Sequence, residues 1–303
     1  MTGAQIAARA AGQSAVFPKA SNGSRIADLL FRAAMYLAVF IGFLALAVLL
    51  YDVARDGGAR LSWDFLTRFP SSIIPERSGI QSALVGTLYL MLLTAAFVVP
   101  LGVATAIYLE EYADREKWFN RFIEVNIQNL ASVPSVVYGI LGLAFIVRGP
   151  LGMGRVLLAG AITLGLLVLP VVIIVAREAI RAVPPSIREG SLALGATQWQ
   201  TIWKQVLPGS IAGIATGVIL ALSRAIGETA PLLLIGAAAS PRFNPDGLFE
   251  AFTALPIQIF VWTQDPNREF VSAAAGAILV LMVILLLMNS VAIFLRNRYE
   301  QKW

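Results

Sequence analysis

Residues 181–210, RAVPPSIREGSLALGATQWQTIWKQVLPGS, join two long apolar runs, and how they are read decides the fold. The segment is too long and too patterned for a plain connector. Pro184 and Pro185 suit a helix start, with Ser186 near the cap. A short helix is expected over Ser186–Leu194, stopped by Gly195, because glycine tolerates the left-handed residue that closes a helix. Thr197 is placed to cap a second helix that ends before Pro208. In it Trp199, Ile202, Trp203 and Val206 fall at i, i+3, i+4 and i+7 and make one apolar stripe. Two short helices with an apolar face can pack under a bundle or fill a groove in a partner.

Outward from this segment the chain looks lipid-soluble. It is 58% hydrophobic and 14% charged, against roughly 45–50% apolar and about 25% charged in ordinary soluble domains. Cysteine and histidine are absent. That excludes disulfides, thiolate chemistry, haem ligation and the usual zinc sites; no acidic cluster suggests a metal. The net charge of +5 is read as basic loops held at one membrane face, not as a nucleic-acid surface. A spanning helix needs about 20 mainly apolar residues. Six segments qualify: 29–51, 81–109, 127–147, 153–176, 209–237 and 271–295. Residues 1–28 read as a flexible cytoplasmic tail, and 29–51 as an uncleaved signal-anchor.

Charge gives the orientation. The tail, the second and fourth connections and the C-terminus hold fourteen Lys and Arg, the opposite side eight. Both termini are therefore expected in the cytoplasm of a multi-pass protein. Two outer segments, 52–80 and 238–270, mix aromatics, proline and charge. Interfacial anchoring is the simpler reading, docking of an external partner the sharper one. The acidic run Glu110, Glu111, Asp114, Glu116 reads as a solvated cytoplasmic face.

Glu189 is followed six residues on by Gly195 and thirteen further by Pro208. This resembles the EAA loop of ABC-importer permeases, roughly E-A-A-x3-G-x9-I-x-L-P. Here Gly190 and Ser191 replace the alanines and Gln205 the isoleucine, while Leu207 and Pro208 match. Segments 78–113, 129–147, 191–202, 222–236 and 255–262 are similar to the phosphate-importer permeases of the PstA type, over about residues 75–300. The resemblance implies an all-α, polytopic, six-span MetI-like permease bundle, with residues 75–300 as the permease domain and a cytoplasmic coupling-helix loop at about 184–208. It also implies a bacterial inner-membrane subunit paired with a sister permease, cytoplasmic ATP-binding subunits and an external phosphate-binding protein. In that family the loop docks on the ATP-binding subunit, which assigns Glu189, Leu194, Gly195 and Trp199 to docking. No G-x-x-x-x-G-K-[ST] phosphate loop is present. The chain is thus expected to be non-catalytic and without a cofactor, ATP being bound by a partner.

ALSRAIGETAPLLL, residues 221–234, places Arg224 and Glu228 inside an apolar run. An arginine at the bilayer centre costs roughly 2.5–3.5 kcal/mol on insertion scales. In a continuous helix the two would share a face and neutralise each other. Stability is a weak reason for such a pair, since apolar residues serve as well. A polar strip along a water-filled path is the functional reading. A guanidinium offers an oxyanion a planar fork, and a nearby carboxylate keeps the anion from being trapped. Gly217 and Gly227 read as packing glycines. Thr229 can donate to phosphate or to its own helix. Pro134 removes a helix hydrogen bond, Ser135 can fill the gap or line the path, and Tyr138 lies on a similar face. The translocation set is therefore Arg224, Glu228, Thr229, Ser135 and Tyr138. Importers of other oxyanions or small solutes and the sister phosphate subunit ask for similar physics. A secondary transporter or channel would need coupling groups spread over several spans.

Overall fold

The computed structural model describes residues 22–71, 73–114, 116–237 and 241–299. The expected tail falls almost wholly outside them. The described residues are helical, with no strand among them. They divide into two units at residue 52. The first is carried by α1, Asn22–Gly58, about 55 Å long at 1.5 Å per residue; it contains the span expected at 29–51. All that follows concerns the second unit.

Helix α2 (Trp63–Thr67) starts at Ser62, whose hydroxyl accepts from the Phe65 N–H at 3.2 Å. A 3₁₀ turn at Pro75–Arg77 leads into α3, Gln81–Ile107, which continues through a π turn at Tyr108–Tyr112. Helix α4 spans Trp118–Ala131; α5 spans Ser135–Leu141 and runs on as a π turn to Val147. Helix α6 is Leu157–Arg181, α7 Pro185–Ala193, and α8 Gln198–Thr201. A π turn at Ile202–Val206 joins α8 to α9, Leu207–Ile226. Helices α10 (Ala230–Ile235), α11 (Leu255–Thr263) and α12 (Arg268–Tyr299) complete the chain.

Helices α3, α6 and α9 build the main core, in which Val98, Val172, Ile180 and Val206 are fully buried. Gly217 lets α9 approach α6 until it abuts Val175, which is the packing role expected of it. At the end where α3 begins, the Thr87 hydroxyl donates to the Ala83 carbonyl and accepts from the Leu255 N–H at 2.8 Å, tying α11 to α3. Trp262 is buried there between Phe65 and Phe270, so the expected interfacial anchor is a core residue. Trp63, by contrast, is exposed.

Among the described residues five helices are long and apolar enough to cross a membrane, and the pair α4–α5 makes a sixth crossing if counted as one. The third span bends at the proline read as breaking a helix hydrogen bond, α4 and α5 meeting at 105°. Pro134 has no N–H for the Leu130 carbonyl and disfavours a helical residue before it, and α4 ends at Ala131. Three other expectations need correction. The fifth span does not run unbroken to 237, because α9 stops at Ile226 and α10 restarts at Ala230. Gly227 is the C-cap of α9 and meets only the Arg224 carbonyl, so it is a stop and not a packing glycine. The second loop helix does not end before Pro208. The Leu207 N–H bonds five residues back to Ile202, and this widened turn absorbs the proline, making 198–226 one continuous helix.

Candidate translocation and docking sites

The two breaks in the spans lie close together. Helices α5 and α10 begin directly after them and pack on each other. A Cβ at Gly139 would lie 2.8 Å from the Pro231 Cα and from Leu234 Cδ1, so glycine is what allows the contact. Tyr138, Leu232 and Ile235 share one apolar cluster behind it.

Arg224 occupies the last turn of α9 and Glu228 the irregular link. They do not share a continuous helix face, yet they remain paired, Nε to Oε1 at 3.6 Å. The contact is loose, and the arginine side chain is 58% exposed against 19% for the glutamate. Thr229 stands at the cap position of α10, but its hydroxyl caps nothing. Its carbonyl accepts from the Leu233 N–H at 3.0 Å. The half-buried Ser135 opens α5. Neither hydroxyl bonds to another described residue. A guanidinium, two free hydroxyls and broken helices form the kind of polar interruption that transport proteins use to line a path.

Tyr138 sits differently. It is buried, and its hydroxyl donates to the Leu130 carbonyl at 2.8 Å, the group that Pro134 leaves without its helical donor. Of the two roles open to Ser135, filling that gap falls to Tyr138.

The loop follows its sequence signals closely at the turn. Pro184 and Pro185 take the N-cap and first helical positions, so Ser186 lies inside α7 and does not cap it. Gly195 has φ +84. The Gly195 N–H bonds to the Leu192 carbonyl and the Ala196 N–H to Ser191, a Schellman closure that glycine permits. Thr197 and Gln200 form a capping box at α8. Glu189, Leu194, Gly195 and Trp199 all lie exposed, Leu194 at 92%. The expected apolar stripe divides: Ile202 and Val206 are buried under the bundle, while Trp199 and Trp203 face outward with ring centroids 5.3 Å apart.

The acidic run divides: Asp114 and Glu116 are exposed as expected, while Glu110 and Glu111 are not. Glu110 is 4% exposed and takes Arg181 in a bidentate pair, Nε and Nη2 each at 3.0 Å, with Arg177 at 3.6 Å. Glu111 accepts from Arg188, and Glu124 from Arg177 at 3.1 Å. Glu110 and Glu111 thus join α3 to α6 and α7 instead of facing solvent, and the partly exposed Glu124 ties α4 to α6. The available signal was the complement of Arg177, Arg181 and Arg188 across the sequence, which spacing alone does not pair with Glu110 and Glu111.

The chain matches the family described as "Binding-protein-dependent transport system inner membrane component" over residues 98–302. It is 34% identical over 266 residues to a probable ABC transporter permease protein, YqgI, of Bacillus subtilis (strain 168), covering 83% of this chain and 87% of that one. It is 31% identical over 286 residues to phosphate transport system permease protein PstA 1 of Mycobacterium tuberculosis (strain ATCC 25618 / H37Rv), covering 93% and 91%. Among solved structures, the bacterial alginate ABC transporter in complex with an alginate-bound periplasmic protein aligns with a TM-score of 0.63 at 19% identity, over 90% of this chain and 97% of that one. An inward-facing MetNI methionine ABC transporter aligns at 0.58 and 16%, over 74% and 95%. At such identities the structures speak for the fold, which is the MetI-type permease bundle. The chain belongs to the family of binding-protein-dependent transport system inner membrane components and is a multi-pass, non-catalytic permease of an ABC importer, ATP hydrolysis residing on a separate subunit.

Proposed function

We propose that this permease moves inorganic phosphate from an external binding protein into the cytoplasm. The observation that carries the reading is the exposed, loosely paired guanidinium of Arg224 in the break between α9 and α10. An arginine so placed must face water, a partner or the solute, because lipid would penalise it. Phosphate accepts a planar two-donor fork, and the hydroxyls of Ser135 and Thr229 can complete its shell as hydration is lost. Glu228 holds the guanidinium between passages and keeps binding weak enough for release. Relatives named as phosphate permeases support the choice of solute. Tyr138 supports the bend beneath Ser135.

In this reading the chain pairs with a second permease subunit in the bacterial inner membrane. The exposed α7–α8 knob, with Leu194 at its tip, docks on a cytoplasmic ATP-binding subunit, and the opposite end receives the binding protein. Both termini are then cytoplasmic, bulk lipid surrounds the apolar spans, and the chain takes no cofactor of its own. Uptake of labelled phosphate by the reconstituted complex is the test, with sulfate, molybdate and a phosphonate as competitors. Saturable uptake that these anions do not displace is the expected result. Transport of a competitor in place of phosphate overturns the choice of solute and leaves the oxyanion path standing.

A further inference from the structure

Helix α7 carries the exposed tip of the loop, yet none of its residues is buried. Its apolar hold on the bundle is the partly buried Ile187, packed against the main core. The directional hold is Arg188. Its guanidinium donates to Glu111 Oε1 from Nε at 3.0 Å and from Nη2 at 2.8 Å, and also to the carbonyls of Ile180 and Val183 at the end of α6. Gln198 on α8 donates to the Glu111 carbonyl, and the Ser191 and Thr201 hydroxyls join the two loop helices at 2.9 Å. Around these pairs a cleft of about 280 Å³ is lined by Glu110, Glu111, Arg181, Pro185 and Arg188. Charged side chains, not packed backbone, bridge α3 to α7.

Glu111 belongs to the π turn that ends α3. A π turn is a weak point in a helix and a common place for a functional adjustment. Beyond it α3 packs into the core with α6 and α9, and α9 carries Arg224 in its last turn. A directional guanidinium–carboxylate contact thus connects the exposed knob to α3, which packs on the helix that carries Arg224.

We propose that Glu111 and Arg188 are positioning residues that pass displacement of the α7–α8 knob to α3, with the Glu110 pairs carrying it to α6. The proposal rests on the reading that α7–α8 docks on an ATP-binding subunit. Neither residue touches the solute in this scheme, so their loss should separate ATP hydrolysis from transport and leave both partners bound.

The experiment uses the whole reconstituted importer, with phosphate as the probe and phosphate moved per ATP hydrolysed as the readout. Leu194→Asp first tests the docking reading alone: unaltered association with the ATP-binding subunit would overturn that reading. Glu111→Gln should assemble and hydrolyse ATP, yet lose at least about five-fold in phosphate moved per ATP, the lower range of measured coupling between sites. Glu111→Asp, which keeps the charge, should recover most of the loss. An unchanged ratio in Glu111→Gln overturns the proposal. So does failure of Glu111→Gln to assemble, because the pair would then hold the fold and not pass movement.

Discussion

At two of the places where opposite charges meet among the described residues, they meet in different ways. Where α3, α6 and α7 converge, Glu110 holds Arg181 through two 3.0 Å bonds and Arg177 at 3.6 Å, with the Glu110 and Arg177 side chains 4% and 8% exposed. In the break between α9 and α10, Arg224 and Glu228 touch once, at 3.6 Å, and the guanidinium stays open. A buried carboxylate that loses its partners leaves charge with no water to replace them, so the first cluster is committed to structure. An exposed pair gains little from its contact, so the second is free to exchange its carboxylate for an anion. Both arise from arginines in or beside apolar helices. Burial and the number of bonds, not residue type, separate scaffold from site.

The largest effect expected from this contrast is at Arg224. Arg224→Leu should bring phosphate uptake to background while the complex inserts and assembles, because nothing remains to compensate the anion along the path. Arg224→Lys should transport poorly, since a point charge lacks the planar fork. Combining Arg224→Leu with Glu228→Leu should leave the protein stable and inactive. Uptake in reconstituted complexes, normalised to assembled protein, decides the matter; transport restored in the double variant would reduce the pair to a structural one and erase the contrast.

A smaller effect, on stability, is expected at the other cluster. Glu110→Ala leaves Arg177 buried without one of its carboxylates and should cost about 3–5 kcal/mol. Glu228→Ala removes the partner of a mostly exposed arginine and should cost about 1 kcal/mol or less. Thermal unfolding of the two variants in one detergent gives the comparison. Equal losses would show that exposure does not separate the two clusters.

The sequence carried the apolar runs, the Gly195 turn and the Thr197 cap, because each depends on neighbours within a few residues. Continuity was harder to read. Pro208 looks like a stop, but a π turn five residues long lets the helix pass it, and no local pattern announces that turn. Gly227 looks like a packing residue, yet α9 ends there. Arg224 and Glu228 were legible as a pair, although the link between them is not helical. The Glu110 and Glu111 network was not legible: its arginines lie 67 to 77 positions away, and the parallel packing of α3 on α6 brings them together.

The finest test lies at Tyr138, where the open site adjoins the core. Its ring is buried and its hydroxyl donates to the Leu130 carbonyl, which Pro134 deprives of its usual helical donor four residues on. That carbonyl keeps a second donor, the Val133 N–H at 3.2 Å, so removing the hydroxyl does not orphan it. Tyr138→Phe should therefore cost about 1 kcal/mol of stability, the ordinary net worth of one hydrogen bond. Phosphate uptake should keep its half-saturation concentration, because the ring still supports the 105° bend and Ser135 still opens α5. The paired variant Ser135→Ala should behave oppositely, weakening uptake with stability unchanged, since its hydroxyl makes no bond to a described residue. A rise in half-saturation for Tyr138→Phe at unchanged stability would move Tyr138 out of the core and into the path, and the boundary between scaffold and site would then lie one helical turn deeper along α5.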